Sequence, residues 1–226
     1  LRTGTVRLAA FPTASSTIVP RLLSGLRERH PGLTVSYVEA EPPEALGMLR
    51  DGLVDLAITF SYPGDRADPH RESEGPVETV PLYTEPVVIA LPEAHPLAAD
   101  GGPVELARLG GERWIAGCPL CRGHLLAACD AVGVEPDIEL ETDNAVAVLN
   151  LVASGLGVAL LPRLALATAV PPEGAVVRAT APSSDRSIQV VLQHGSRRVP
   201  SIAAVLDAVS ALDGRDWGLA ATPHPA

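Results

Sequence analysis

Aromatic side chains are scarce, 3% of 226 residues. A core without them has to be built from Val, Leu, Ile and Ala, and the 46% apolar composition supplies enough of these. That excludes a disordered acidic tail, which lacks the apolar surface to offset chain entropy. Basic residues are in the minority, 17 against 27 acidic ones, for a formal net charge of −10. A chain this acidic repels phosphates, so it makes a poor autonomous nucleic-acid binder and a poor partner for anionic membranes. Cysteine is nearly absent. The three cysteines lie between Cys118 and Cys129 and cannot close a disulfide framework. Uninterrupted apolar runs are missing too. The longest apolar region, Ala145–Val170, is broken by Asn150, Gly155, Gly157, Pro162 and Arg163, so it is no membrane span. The start, Leu1-Arg2-Thr3-Gly4, lacks a methionine and the basic-then-apolar order of a secretion signal. The chain therefore reads as a piece of a longer or processed product, cytoplasmic and without membrane contact. Its length allows one large domain or two small ones.

What is present is an alternation of strand and helix signals. Thr5–Phe11 reads as a strand ended by Pro12, and Thr13–Thr17 as a hydroxyl-rich loop opening a helix. Ile18, Val19, Leu22, Leu23 and Leu26 follow at helical spacing, with Pro20 in the first turn, until Pro31-Gly32. Thr34–Glu39 predicts a strand, Pro43–Arg50 a helix and Leu53–Phe60 a buried strand, giving β-α-β-α-β and a mainly parallel sheet. Tyr62–Pro76 reads as a surface loop. Two strands, Glu78–Tyr83 and Pro86–Leu91, then follow with almost nothing between them. A second block repeats the alternation: strand Arg113–Ala116, helix Leu120–Val132, strand Asp137–Glu141, helix Asn144–Ser154, strand Val158–Leu161. Pro182–Arg186 reads as a polar connection. A strand Ser187–Gln193, a helix Ser201–Leu212 and a Gly/Pro/Ala-rich, poorly packed tail complete the chain. Two such blocks predict two lobes with a cleft between them, because ligands of open parallel sheets bind beyond the carboxyl ends of strands.

Five motifs in order carry a resemblance: a strand followed by Ser15-Ser16 and an Ile-Val-Pro-x-Leu-Leu helix; Arg29-His30-Pro31-Gly32-Leu33; Leu49-x-x-Gly52-x-x-Asp55-Leu56-Ala57-Ile58; Leu91-Pro92-x-x-His95-Pro96-Leu97; and Val152-Ala153-x-Gly155-Leu156-Gly157-Val158-Ala159-Leu160-Leu161-Pro162. Over residues 3–212 the chain resembles the effector-binding domain of LysR-type transcriptional regulators. The resemblance implies an α/β type 2 periplasmic-binding-protein-like fold, two Rossmann-like lobes joined by two crossover strands. It assigns 1–84 with 188–212 to subdomain I, 85–187 to subdomain II and 213–226 to a C-terminal tail. It implies a domain that binds a small polar or anionic effector and controls transcription, with no cofactor. DNA contact would come only through a helix-turn-helix preceding Leu1. It also implies a homodimer or higher homo-oligomer, in which the Thr17–Arg29 helix and the Thr34–Glu39 strand pack against the second lobe of a partner chain. The five aliphatic residues of that helix span more surface than one sheet contact needs, which agrees with a dimer face. A type 2 solute-binding protein of a transport system shares the fold and is the alternative. It would need a secretion signal and would usually carry more lysine.

The Thr13–Thr17 segment suits an anion because a helix start presents free N–H groups and the positive end of the dipole; an ordinary Ser or Thr cap is the plain alternative. The candidate ligand-binding residues are Thr13, Ser15 and Ser16, with Thr59 and Phe60 opposite. Gly117, Cys118, Asp143 and Asn144 join them from the second lobe, Asp143 serving either the ligand or the next helix as its cap. Cys118, Cys121 and Cys129 have three readings: small packed side chains, a redox switch, or a metal site from the C-x2-C-x2-H spacing of Cys118, Cys121 and His124. Within one straight helix Cys121 and Cys129 stand ~12 Å apart in rise, so a disulfide between them requires unwinding. In the peroxide-sensing members of the resembling family a Cys pair lies in this region. Its second member aligns with Cys129, and its first is offset from Cys121 by about one position. No G-x-S-x-G, Walker A or H-E-x-x-H motif points to an enzyme, and the six histidines are scattered.

Overall fold

Gly4–Ala10 forms the first strand, β1, in the computed structural model, which describes residues 3–65 and 77–222. β1 is followed by α1 (Pro12–Ser16), α2 (Ile18–Arg29), β2 (Leu33–Glu39), α3 (Pro42–Arg50) and β3 (Leu56–Ser61). β1 lies parallel to both β2 and β3, with Leu8 opposite Tyr37 on one side and Leu56 on the other. That is the expected β-α-β-α-β unit, and β3, covered on both faces, is buried at every position. α3 starts with prolines, whose missing N–H groups cost nothing in a first turn, and stops at Gly52, where φ is +68°. The Arg7 guanidinium ties β1 to the approach of β3 through Asp55 at 2.7 Å, holding that carboxyl below its ordinary pKa. On one face of the sheet Ala9, Leu46, Leu49, Ala57 and Val191 pack together.

Glu78–Tyr83 and Pro86–Leu91 are not two strands but one, β4, unbroken from Val77 to Pro92. Pro81 and Pro86 fit an extended chain because their fixed φ is compatible with it. The strand changes partners along its length. Tyr83 and Thr84 pair with β11 (Ala220–Ala221), whereas Val87–Pro92 pair with β8 (Ala159–Pro162) and β9 (Ala175–Ala181). β10 (Asp185–Gln193) runs antiparallel to β3, Ile188 opposite Phe60. α6 (Pro200–Ser210) buries Ile202, Val205, Leu206 and Val209 and packs on α2 and β1.

Contacts divide the chain into a first unit, residues 3–61, 77–84 and 187–222, and a second, 62–65 with 85–186. The tail expected to be poorly packed belongs to the first unit. Leu219 is buried, Thr222 N–H donates to the Leu82 carbonyl at 3.0 Å, and Gly214 sits so close to the Tyr83 ring that a Cβ would lie 2.8 Å from it. Composition hid this apolar anchor and the backbone pairing. α2 departs from expectation as well. Ile18, Val19, Leu22 and Leu26 are buried and Leu23 is half-buried, because α6 covers the side that β2 does not. Four of the five aliphatic residues read as a dimer face are thus buried within the unit.

The second unit adds β5 (Val104–Glu105), β6 (Arg113–Ala116), α4 (Pro119–Asp130), β7 (Asp137–Glu141) and α5 (Ala145–Ala153). β6 and β7 are parallel, β5 is parallel to β9, and Trp114 bridges in parallel to Val158. Half-exposed β9 follows Pro171-Pro172 and carries no clean alternation, so no pattern announced it. Trp114, Leu97, Leu106, Leu125, Cys129 and Val158 form one core cluster, and Val88, Ala90, Leu149, Val152 and Ala159 belong to a second. Among the described residues no helix is long and apolar enough to cross a membrane.

Candidate functional site

In the first unit the Thr13–Thr17 segment is not an open loop. Thr13–Ser16 fall inside α1, and the Ser15 and Thr17 N–H groups donate to the Phe11 and Ala14 carbonyls at 2.9 and 3.2 Å. The hydroxyls turn back onto the same segment: Ser15 Oγ to Phe11 O at 3.0 Å, Ser16 Oγ to Thr13 O at 3.2 Å, Thr17 Oγ1 to Thr13 O at 2.6 Å. Thr17 occupies the N-cap of α2 but makes no side-chain cap bond. The ordinary-cap alternative therefore fails, because the hydroxyls prefer the carbonyls one turn back. Ser15 also receives a short hydrogen bond from the Tyr37 hydroxyl of β2, a residue the sequence did not single out. Thr59 and Phe60 lie within β3 rather than at its end and are buried. The Phe60 ring meets Phe11 edge to face at 4.9 Å.

In the second unit the β6–α4 connection brings the candidates together. Cys118 is the N-cap of α4: its Sγ accepts the Cys121 N–H at 3.4 Å and lies 2.9 Å from Cys121 Sγ. Gly117 makes room for this, since a Cβ there would stand 3.1 Å from Cys121 Cβ. The Tyr62 hydroxyl donates to Cys121 Sγ at 3.5 Å, and the Tyr62 ring stacks on the His124 imidazole, centroids 4.0 Å apart and planes 5° from parallel. His124 is held at both nitrogens, Nδ1 to Asp65 at 2.9 Å and Nε2 to Ser184 Oγ at 3.0 Å. In this arrangement the His124 nitrogens face Asp65 and Ser184, not the two sulfurs of the C-x2-C-x2-H spacing. Among the described residues no group of three His, Cys, Asp or Glu side chains is placed to hold an ion. Burial, reinforced by Cys121, drives the Tyr62 phenol well above its usual pKa, with the Arg186 charge opposing. Burial is the largest influence on Arg186 and works against its charge, but Glu85 at 2.6 Å, with Tyr62 and Cys121, together more than offset it. Cys129, near the far end of α4, is fully buried, and burial pushes its thiol up to about 11.

At the start of α5 the cap is Asn144, not Asp143. Its Oδ1 accepts the Val146 and Ala147 N–H groups at 3.0 and 3.1 Å, while Thr142 Oγ1 accepts Asn144 N–H. Asp143 remains exposed. Sequence reasoning missed Tyr62, Asp65, Ser184, Glu85 and Arg186. Tyr62 was assigned to a surface loop, whereas it is buried; the rest of that loop, 66–76, lies outside the described residues.

A family model, LysR substrate binding domain, matches residues 1–213. The chain belongs to this family. Curated relatives include a probable hydrogen peroxide-inducible genes activator of Mycobacterium avium, 31% identical over 88% of this chain and 61% of that protein. A probable HTH-type transcriptional regulator, LrrA of Synechococcus elongatus, is 32% identical over 92% of this chain and 66% of its own length. The DNA-binding transcriptional dual regulator OxyR of Escherichia coli is 30% identical over 85% and 61%. The chain thus spans about two thirds or less of these relatives. Among solved structures, the effector binding domain of QuiR in complex with shikimate matches with a TM-score of 0.77 and 21% identity, over 92% of this chain and 95% of that one. The Synechocystis PCC6803 CcmR regulatory domain in complex with 2-PG gives 0.77 and 22%, over 92% and 97%. This LysR domain accordingly has the expected α/β, type 2 periplasmic-binding-protein-like fold. The family match favours a regulator's domain over the transport solute-binding protein.

Proposed function

We propose that this LysR domain is the effector-sensing part of a cytoplasmic transcriptional regulator, that it is not an enzyme, and that its effector is a small polar or anionic metabolite. The observation that carries the reading is the family match over residues 1–213. Relatives of the same fold solved with shikimate and with 2-PG support the ligand class. DNA contact belongs to a helix-turn-helix outside the 226 residues, consistent with the net charge of −10. In the first unit the ligand-facing groups are Thr13, Ser15 and Ser16 of α1, with Thr59 and Phe60 behind them. In the second they are Gly117, Cys118, Asp143 and Asn144. A thermal-shift screen of small carboxylates, shikimate among them, identifies a binder, since binding to the folded state alone raises stability by mass action. Ser15→Ala with Ser16→Ala should then weaken it roughly tenfold, about one charge-assisted hydrogen bond, without loss of fold. An unchanged affinity by calorimetry removes both serines from the site.

The domain also acts as a homodimer on this reading. Among the described residues β2 ends its sheet, with no strand paired to its outer edge, and Tyr37 and Val38 on it are 38% and 40% exposed. Natural sheets rarely leave such an edge uncovered. Sedimentation at micromolar concentration should show two chains per particle. A strictly monomeric boundary refutes self-association through this domain.

A further inference from the structure

We propose that Cys118 and Cys121 form a dithiol site that exchanges with low-molecular-weight disulfides and closes to an intramolecular disulfide. None of the three cysteines is in a disulfide in this structure. The two sulfurs stand 2.9 Å apart. A disulfide bond is ~2.05 Å long, so closure needs less than ~1 Å of sulfur travel. A bridge needs Cβ atoms ~3.5–4.5 Å apart, closer than the ~5–6 Å of residues three apart within a helix, so closure also draws the non-helical cap residue Cys118 toward Cys121. The site also has the chemistry for attack. Cys118 caps α4 and takes the Cys121 N–H, and a helix N-terminus favours thiolate over thiol. Cys121 is half-buried and Cys118 is 7% exposed, so Cys121 is the entry thiol and Cys118 the resolving one. Cys129 takes no part. It is fully buried, eight residues along the unbroken helix Pro119–Asp130, and its thiol is held protonated up to about 11.

The exchange balances without another reagent. The Cys121 thiolate attacks one sulfur of RS–SR and expels RS⁻, leaving a mixed disulfide. The Cys118 thiolate attacks Cys121 Sγ and expels the second RS⁻. The two cysteines give up two protons and two electrons, and RS–SR becomes two RSH.

The test uses the whole chain, reduced, then incubated with oxidised glutathione, acid-quenched, alkylated and digested with trypsin. Arg113 and Arg122 place both thiols on one tryptic peptide, 114–122, and Cys129 on the next. The expected peptide 114–122 is two hydrogens lighter and takes no alkylating agent, while Cys129 is alkylated. Cys118→Ser should trap glutathione on Cys121, and Cys118→Ala serves if the serine disturbs the cap. A glutathione adduct that persists in the unsubstituted chain overturns the proposal. So does a bridge that includes Cys129, or full retention of three alkylatable thiols in excess oxidised glutathione.

Discussion

Trp114→Ala should lower the unfolding free energy by about 3–5 kcal/mol, the usual cost of removing a large buried aromatic. Trp114→Phe should cost far less. Trp114 has no exposed surface and sits among Leu97, Leu106, Leu125, Cys129 and Val158. Its backbone is equally committed, paired with Ile138 on β7 and bridged to Val158. The contrast between the two substitutions comes from the indole nitrogen. Among the described residues Nε1 has no hydrogen-bond partner although it is buried. An unsatisfied buried donor costs about 1–3 kcal/mol, so Phe removes a penalty along with some packing. Urea unfolding followed by circular dichroism separates the two. If alanine shifts stability by less than about 1 kcal/mol, Trp114 is not the keystone of this core.

The architecture was legible wherever one strand or helix carried its own signal. The alternation in β1, the uniformly apolar β3 and the aliphatic face of α6 are local patterns, and the elements fall within a few residues of expectation. What misled was partner choice. The prolines in Val77–Pro92 suggested two strands, yet an extended chain absorbs both, and the change of neighbour occurs near Glu85 without a break. The five aliphatics of α2 look like too many for one contact until α6, some 170 residues later, covers the remainder. The site shows the same limit. Cys118 and Cys121 were visible as a pair at a helix start, but spacing grouped them with His124 and the disulfide considered was between Cys121 and Cys129. The C-x2-C-x2-H spacing pointed His124 at the sulfurs. On α4 its ring instead lies flat on Tyr62, with both nitrogens committed to Asp65 and Ser184, each about 60 positions away. No spacing rule reaches that far. Only the topology of the second unit, which brings Tyr62, Asp65 and Ser184 to α4, gathers these side chains.

Glu85→Ala should be the other severe substitution, about 3–5 kcal/mol, because it removes the carboxylate that neutralises a buried positive charge. Glu85 and Arg186 have no more than 2% of their side chains exposed. Glu85 Oε1 takes Arg186 Nη2 at 2.6 Å and Nε at 2.7 Å, while Oε2 accepts the Leu164 N–H at 2.5 Å. The ion pair thus joins β4 to β10, the two strands that pass between the units, on the second unit's side. Such a pair need not stabilise the fold relative to apolar residues of equal volume, since both charges give up their hydration. Glu85→Leu with Arg186→Met should therefore recover most of what Glu85→Ala loses, apart from the Leu164 hydrogen bond. Failure of the double substitution to recover at least half, in urea unfolding, would show that the charges are themselves the stabilising feature. The recovered protein has a second use. It keeps the fold but removes the positive charge that acts on Tyr62 and Cys121. With that charge gone, a thiolate beside Tyr62 is less favoured, so the double variant should react more slowly with oxidised glutathione than the parent at the same pH. Equal rates would mean that the helix start alone prepares Cys118 and Cys121, and that Arg186 serves only the fold.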